Sequence, residues 1–291
     1  MTDHAIAIAI CAEHPVDDEG HLLLEALRVL GVRPEPVIWS EDPPDGWHGY
    51  DLVVVRATWD YTFALPRFLA WTRAVGDRLL NPPDVIAWNA DKRYLADLDA
   101  AGVTTIATEH LPPGATFTPP PGRFVIKPAV AGGSRGAQVF DDERHGQAAE
   151  HLARLHARGD DVLVQPYLDA VDGDEGEIAL VFIEGELAHA MRKGPLLALD
   201  VPAVESGFRQ EQMNLVPAPA PDIVAFGQRA LAFVSERFGG PLLYARVDVL
   251  RDAAGAPAVL ELELIEPSLF LNFAPGSAQA LARAIVGRLP G

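Results

Sequence analysis

The sequence predicts an α/β protein that opens with a small doubly wound parallel sheet and continues into antiparallel hairpins. Three observations carry this. Ala5-Ile-Ala-Ile-Ala-Ile10 is a short continuous apolar run, as in a parallel strand buried on both faces. Helical and extended patterns then alternate over roughly the first 88 residues, the β-α-β order of a doubly wound domain. Far downstream, 244–250 and 259–265 each alternate with period two, as strands with one apolar face do.

The elements follow in order. His21 to Leu30 reads as a helix with Leu23, Leu24, Leu27 and Leu30 on one stripe, and Gly31 is placed to cap it. Pro36 to Trp39 and Asp51 to Arg56 read as strands, and Leu65 to Val75 as a helix. Asn89 is placed to cap a further helix through Ala101, with Tyr94, Leu95, Leu98 and Ala101 inward. A proline-rich surface segment spans 111–122. A strand, Phe124 to Pro128, runs into the glycine-rich loop 129–136, followed by a helix from Glu143 to Ala157 and a strand from Val162 to Pro166. Glu177 to Ile183 and Leu187 to Arg192 form a hairpin around Glu184-Gly185-Glu186. Residues 194–221 lack periodicity and read as a long loop. Helices Asp222 to Phe238 and Ser277 to Leu289 flank the late hairpin. The expected division is 1–88, 89–165 and 166–291.

Composition narrows the function. The chain has 291 residues, 49% apolar and 22% charged, and a net charge of −18. That charge argues against nucleic acid or an anionic membrane as partner. The single cysteine, Cys11, rules out an intramolecular disulfide and a cysteine-based zinc site. No signal-type stretch and no run of 18 apolar residues occurs, so a cytoplasmic location is expected.

The late hairpin carries the chemistry. Centred on the turn at 251–257, it places Asp248 opposite Glu261 and Arg246 opposite Glu263. Carboxylates directly across strands, roughly 5 Å apart, repel. A hard cation such as Mg²⁺ removes that cost. A second cluster sits upstream: Lys127 falls in an apolar strand just before a loop containing Gly132, Gly133 and Ser134. A lysine there needs an anionic partner, and such a loop offers N–H groups to phosphate. The loop is neither a Walker loop nor a dinucleotide fingerprint. No Ser-His-Asp or Cys-His set is evident. At the end of the 51–56 strand, Arg56, Thr58, Trp59 and Tyr61 form a polar-aromatic cluster where doubly wound sheets bind ligands, with Arg56 suited to grip a carboxylate. The first strand ends in Cys11-Ala-Glu-His14-Pro, which points to the same place. Arg192 and Lys193, ending another strand, are further candidates for contact with substrate or γ-phosphate, as is Arg209 in the long loop.

The chain order of Lys92, Lys127, the glycine loop, Val164-Gln-Pro-Tyr-Leu168, Glu177, Arg246-x-Asp248 and Glu261-x-Glu263 resembles the ATP-grasp superfamily, which contains D-alanine–D-alanine ligase and glutathione synthetase. Glu261 follows Asp248 by thirteen positions, a separation common in these ligases. The resemblance implies a two-lobed α+β ATP-grasp fold after the first domain. It implies ATP and one or two Mg²⁺ ions as cofactors, with Mn²⁺ able to substitute. Lys92 and Lys127 would contact nucleotide phosphates and the 131–136 loop would close over them. Gln165, Pro166, Tyr167 and Leu168 would line the adenine site, and Glu177 would bind the ribose. Asp248, Glu261 and Glu263 would hold Mg²⁺, and Arg246 would stabilise the transferred phosphoryl group. Where the family has Glu-x-Asn, this chain has Glu261-x-Glu263.

The cluster from Arg56 to Tyr61 and the run Glu261-Leu-Glu-Leu-Ile-Glu-Pro-Ser-Leu-Phe270 are similar to a narrower branch, glutathione-synthetase-like enzymes of antibiotic pathways. That branch includes a cyclo-ligase that closes O-ureido-D-serine into D-cycloserine. It implies an ATP-dependent carboxylate–amine ligase or cyclo-ligase working through an acyl phosphate on a small amino-acid-like substrate. The 194–221 loop would close over it. A small-molecule kinase and a non-catalytic nucleotide-binding regulator are the competing classes. Lys127→Ala and Asp248→Asn are expected to abolish turnover while leaving folding largely intact. Oligomeric state is left open, a homodimer being one option.

Overall fold

The structure, a computed structural model, describes residues 4–13, 16–204 and 212–290. His14 and Arg209 lie outside them. The chain begins with β1 (Ala5–Ile10), α1 (Asp18–Val29), β2 (Arg33–Ile38), β3 (Leu52–Val55), α2 (Leu65–Val75) and β4 (Leu79–Leu80). These strands form one parallel sheet in the order β2-β1-β3-β4. Alternation inside β1 divides its two buried faces by size. Ile6, Ile8 and Ile10 pack toward Leu23 and Leu27 of α1, while Ala5, Ala7, Ala9 and Cys11 leave room for Trp39, Tyr61 and Phe68.

α3 (Pro83–Asn89) and α4 (Tyr94–Ala100) lead into β5 (Glu109–Leu111), β6 (Phe124–Pro128), β7 (Gln138–Phe140), α5 (His145–Ala157) and β8 (Val162–Pro166). Here the sheet is antiparallel, ordered β5-β8-β6-β7, with α5 covering one face through Ala148, Leu152 and Leu155. The last part holds β9 (Glu177–Ile183), β10 (Glu186–Lys193), β11 (Met213–Leu215), α6 (Pro221–Phe238), β12 (Tyr244–Arg251), β13 (Pro257–Glu263) and α7 (Ser277–Val286). Its antiparallel sheet is ordered β11-β10-β9-β12-β13. Val247 and Val249 point to α6, where Gly227 leaves space for Leu180 and Phe182. Arg246 and Asp248 take the opposite face. α7 returns to the first layer and packs on α1 through Leu281 and Ile285. No helix among the described residues is long and apolar enough to cross a membrane.

Two asparagines stitch the first layer to the last sheet. Asn81, fully buried with φ +33°, donates to the carbonyls of Tyr244 and Leu264 and accepts from the Leu243 N–H. Asn89 donates to the Leu262 carbonyl and accepts from the Leu264 N–H. Tyr244 Oη donates to carbonyls of both parts, Val55 at 2.6 Å and Ile265 at 2.7 Å.

Several sequence expectations are corrected. Asn89 ends α3 rather than capping the next helix, because its amide is committed to β13. Ala101 is exposed just past α4. α1 begins at Asp18, where the Asp17 carboxylate accepts the Gly20 N–H, ahead of the leucine stripe. β2 starts at Arg33 despite its two prolines, as the parallel partner of β1. β13 begins at Pro257 and ends at Glu263. The segment 194–221 contains β11, which pairs with β10. The short strands β4, β5 and β7 had no sequence signal of their own.

Candidate active site

The register expected for the late hairpin is observed: Arg246 pairs with Glu263 and Asp248 with Glu261, followed by a bulge between Asp248 and Val249. β9 lies on the other side of β12, and β10 beyond it brings Lys193 to the same face. Arg246 donates to both oxygens of Asp248 at 2.9 Å, to Glu263 at 2.5 Å and to the Ser268 carbonyl at 3.1 Å. Lys193 Nζ lies 3.2 Å from Asp248 and 2.7 Å from Glu177. Lys92 Nζ reaches Glu261 at 2.9 Å and the Ala131 carbonyl of the glycine loop.

Two adjoining cavities meet at Lys92, Lys193, Glu261 and loop residues Ala131, Gly133 and Ser134. The smaller, about 120 Å³, is largely apolar: Ile106, Leu168, Val171, Leu250 and Leu260 form walls suited to a flat ring. Lys127 and Glu177 supply polar groups there, as do Gln165, Pro166 and Tyr167. Gln165 is pinned by its bond to Thr108 Oγ1 at 2.8 Å, and the Tyr167 ring lies under Arg123 at 4.3 Å. The larger cavity, about 440 Å³, is lined by Trp59, Tyr61, Arg246, Glu263, Gly132 and residues sequence reasoning did not assign: Glu19, Tyr94, Glu266 and Phe270. Glu266 lay in view within the Glu261–Phe270 run but broke the alternation; Glu19 carried no local signal.

The glycine loop is held in an unusual backbone shape. Gly133 and Ser134 both have positive φ, +59° and +58°, a costly state for serine that clusters at ligand sites. Arg135 fastens the loop to the first layer by donating to Thr62 Oγ1 at 2.5 Å, with its guanidinium 3.8 Å from the Phe63 ring centroid. The Gly136 N–H donates to the Val204 carbonyl, and Leu196 and Leu197 line the smaller cavity.

Electrostatics separate the carboxylates. Burial opposes charge on Asp248, but Arg246 and Lys193 together hold it below the usual range. Lys92 and Lys127 do the same for Glu261 against its burial. Glu263 is pushed up to about 7 by burial and by Glu261 and Asp248, against the pull of Arg246. Glu266 rises to about 8, through burial and then Glu263. Burial lowers Lys127, with Glu261 opposing. Glu263 and Glu266 therefore hold their protons more tightly than Asp248 and Glu261 do.

Four expected residues are placed differently. Arg56 is buried, 3.2 Å from Glu19 and above the Tyr244 ring, and lines neither cavity. Thr58 is wholly buried and does not line them either. Arg192 points away, donating to the carbonyls of Gly173 and Glu175, because alternation along β10 puts it opposite Lys193. Asp248 is beneath the cavity rather than in its wall. Among the described residues, no three His, Cys, Asp or Glu side chains converge as a metal cage. Asp248, Glu261 and Glu263 are each drawn to a cationic side chain instead. Their oxygen chemistry still fits a hard cation, which would favour the ionised form of Glu263 against its burial.

Comparison with known proteins decides the family. The cycloserine biosynthesis protein DcsG of Streptomyces lavendulae is 36% identical over 293 residues, spanning 94% of this chain and 95% of that protein. The chain belongs to the ATP-grasp ligases of the DcsG family. Residues 6–81 of this ATP-grasp ligase match the family described as the D-cycloserine synthetase DcsG N-terminal domain. The crystal structure of D-cycloserine synthetase DcsG superposes with a TM-score of 0.88 at 34% identity, covering 98% of this chain and 100% of that one. D-alanine–D-alanine ligase from Bacillus anthracis gives 0.64 at 13% identity, over 98% and 96% of the two chains, a likeness of fold. The chain is thus an ATP-dependent ligase on a mixed α/β fold, as expected from its motifs.

Proposed function

We propose that this ligase closes a ring within a small amino-acid-like carboxylate, with O-ureido-D-serine as first candidate substrate and D-cycloserine as product. Full-length similarity to DcsG carries the reading. Support comes from the two cavities, which join where Lys92, Lys193 and Glu261 meet. The smaller suits a nucleotide, and the larger a compact polar molecule.

A carboxylate is a poor electrophile. In the proposed reaction its oxygen attacks the γ-phosphorus of ATP, the β–γ bridge breaks, and ADP leaves. The resulting acyl phosphate is attacked by the oxygen-bound ureido nitrogen of the same molecule, which loses its proton as phosphate leaves. Water then removes the carbamoyl group from that nitrogen, as carbon dioxide and ammonia, to give D-cycloserine. The protein's task is to neutralise phosphate charge, align the partners and exclude water. Lys92, Lys127 and the N–H groups of the Gly132–Ser134 turn would hold the phosphates. Gln165, Pro166, Tyr167 and Leu168 would seat adenine, and Glu177 the ribose. Glu261 and Glu263, with Asp248 behind them, would hold Mg²⁺, which supplies charge neutralisation on the phosphates. Arg246 would face the transferred group and Lys193 the γ-phosphate or substrate. Trp59 and Tyr61 would shape the substrate side, and the segment after Gly194 would close over the nucleotide. Residues 1–88 would then serve substrate, 89–165 the glycine loop and 166–291 the cation. With a net charge of −18, small molecules rather than nucleic acids or anionic membranes are the fitting partners.

The test is turnover of Mg·ATP against amino acids, dipeptides and O-ureido-D-serine, recording ADP, AMP, phosphate and the organic product. ADP and phosphate appearing only with O-ureido-D-serine, alongside a cyclised product, is the expected result. AMP would overturn the acyl-phosphate step. A phosphorylated product that persists would make the protein a kinase. Bound ATP with no turnover of O-ureido-D-serine would remove that substrate.

A further inference from the structure

Glu19 stands in the first turn of α1, 8% exposed, with its carboxylate fully engaged. Oε2 accepts the Leu269 N–H at 2.9 Å and Oε1 accepts the Phe270 N–H at 2.7 Å. Arg56 Nη2 donates to Oε2 from 3.2 Å. A charged carboxylate is expensive to bury, so three donors on one group mark a built contact. Burial pushes the Glu19 carboxyl up, and Arg56 and the two N–H groups oppose it.

What Glu19 grips is a segment bent against its own preference. Phe270 has φ +53°, which a bulky residue adopts only when its surroundings impose it. The same segment touches Arg246 twice. Arg246 donates to the Ser268 carbonyl at 3.1 Å, and its guanidinium lies 5.4 Å from the Phe270 ring centroid. His189 Nε2 meets the Leu269 carbonyl at 2.8 Å, closing the grip.

We infer that Glu19 is a positioning residue: reaching from the first layer, it holds Ser268–Phe270 in the shape that aims Arg246 into the substrate cavity. Arg56 in turn orients Glu19. The requirement is for a carboxylate, since a glutamine accepts one N–H and turns its own NH₂ toward the other. Chain returning after β13 is thereby coupled to α1, more than 240 positions upstream.

The inference rests on the proposed reading of Arg246, so Arg246→Ala and Arg246→Lys are assayed alongside. Glu19→Gln should lower kcat about tenfold or more while KM for ATP stays within about twofold. Its melting point should fall, as the buried pair with Arg56 is broken, while its affinity for a non-hydrolysable ATP analogue remains near wild type. On the Arg246→Lys background the same change should cost less than about twofold, because its route to the chemistry is already broken. Additive losses would overturn the inference. Wild-type kcat in Glu19→Gln beside an inactive Arg246→Ala would overturn it and leave the reading of the site intact. Wild-type turnover by Arg246→Ala would instead overturn that reading. If Glu19→Gln fails to fold, Arg56→Lys should show a smaller kcat loss with the same dependence on Arg246. A crystal structure of the folded variant decides independently of any substrate: Arg246 parted from the Ser268 carbonyl supports the inference, and an unchanged 268–270 segment sinks it.

Discussion

Asp248 and Glu261 face each other across β12 and β13, yet each carboxylate is bound to cationic side chains. Asp248 takes Arg246 and Lys193; Glu261 takes Lys92. Removing one charge from this array strands its partners. Asp248 is fully buried, so Asp248→Asn should destabilise the fold by about 3 kcal/mol, the order expected for breaking a buried pair. That replaces the expectation of an unaffected fold. A fall in urea midpoint with turnover lost is the predicted outcome; an unchanged midpoint would show the pairing to be energetically idle.

Lys127 presents the opposite case. Burial already depresses its ammonium, and among the described residues no ion pair fixes it. Lys127→Ala should therefore melt near wild type while weakening a non-hydrolysable ATP analogue by about tenfold to a hundredfold, the worth of a charge-assisted bond. Titration calorimetry measures this. Unchanged affinity would remove Lys127 from the phosphate site.

Burial, against the pull of Arg246, raises the Glu263 carboxyl to about 7, and a bound cation would favour its ionised form. Chelation of divalent cations should abolish turnover, and Mg²⁺ should restore it, with Mn²⁺ able to substitute. Glu263→Gln should raise the Mg²⁺ concentration needed for half-maximal rate. An unshifted cation requirement would take Glu263 out of the cation site.

Asn81 satisfies three buried backbone groups at once. In Asn81→Ala all three are orphaned, at about 1–3 kcal/mol each, so a loss of at least about 3 kcal/mol is expected. Chemical denaturation would read it. A loss under about 1 kcal/mol would mean the layers are held by apolar packing alone.

His189 is partly buried, and burial lowers its pKa below the ordinary 6.5. The unfolded chain therefore takes up the proton first as pH falls. His189 contributes full stability above 6.5 and loses it as pH drops through the depressed folded value. Melting points between pH 7.5 and 5.5 should fall more for wild type than for His189→Gln. Parallel curves would contradict the assignment.

The parts legible in sequence were those encoded by neighbours. Residues 244–265 revealed both faces and the Arg246–Glu263 register, because period two and one turn define a hairpin locally. The bulge after Asp248 was not legible, since it leaves the alternation of each strand intact. β5, β7 and β11 are three residues each, too short to display a period. Asn89 resembled a helix cap because the same amide chemistry serves a cap and a bond to β13. Arg56 looked like a ligand-binding cation because its strand end was correctly placed, but its counterion, Glu19, arrives from a separate helix. Glu19 itself gained meaning only from chain that returns 250 positions later.

The packing of α7 on α1 bears on how this protein is made. The stripe of Leu23, Leu24 and Leu27 is translated about 250 positions before Leu281 and Ile285, which help cover it. The first layer must wait, partly uncovered, while the intervening chain is made. Nascent chains stalled before residue 277 should accordingly be held by chaperones and cleaved readily by protease, and should gain resistance once α7 has cleared the exit tunnel.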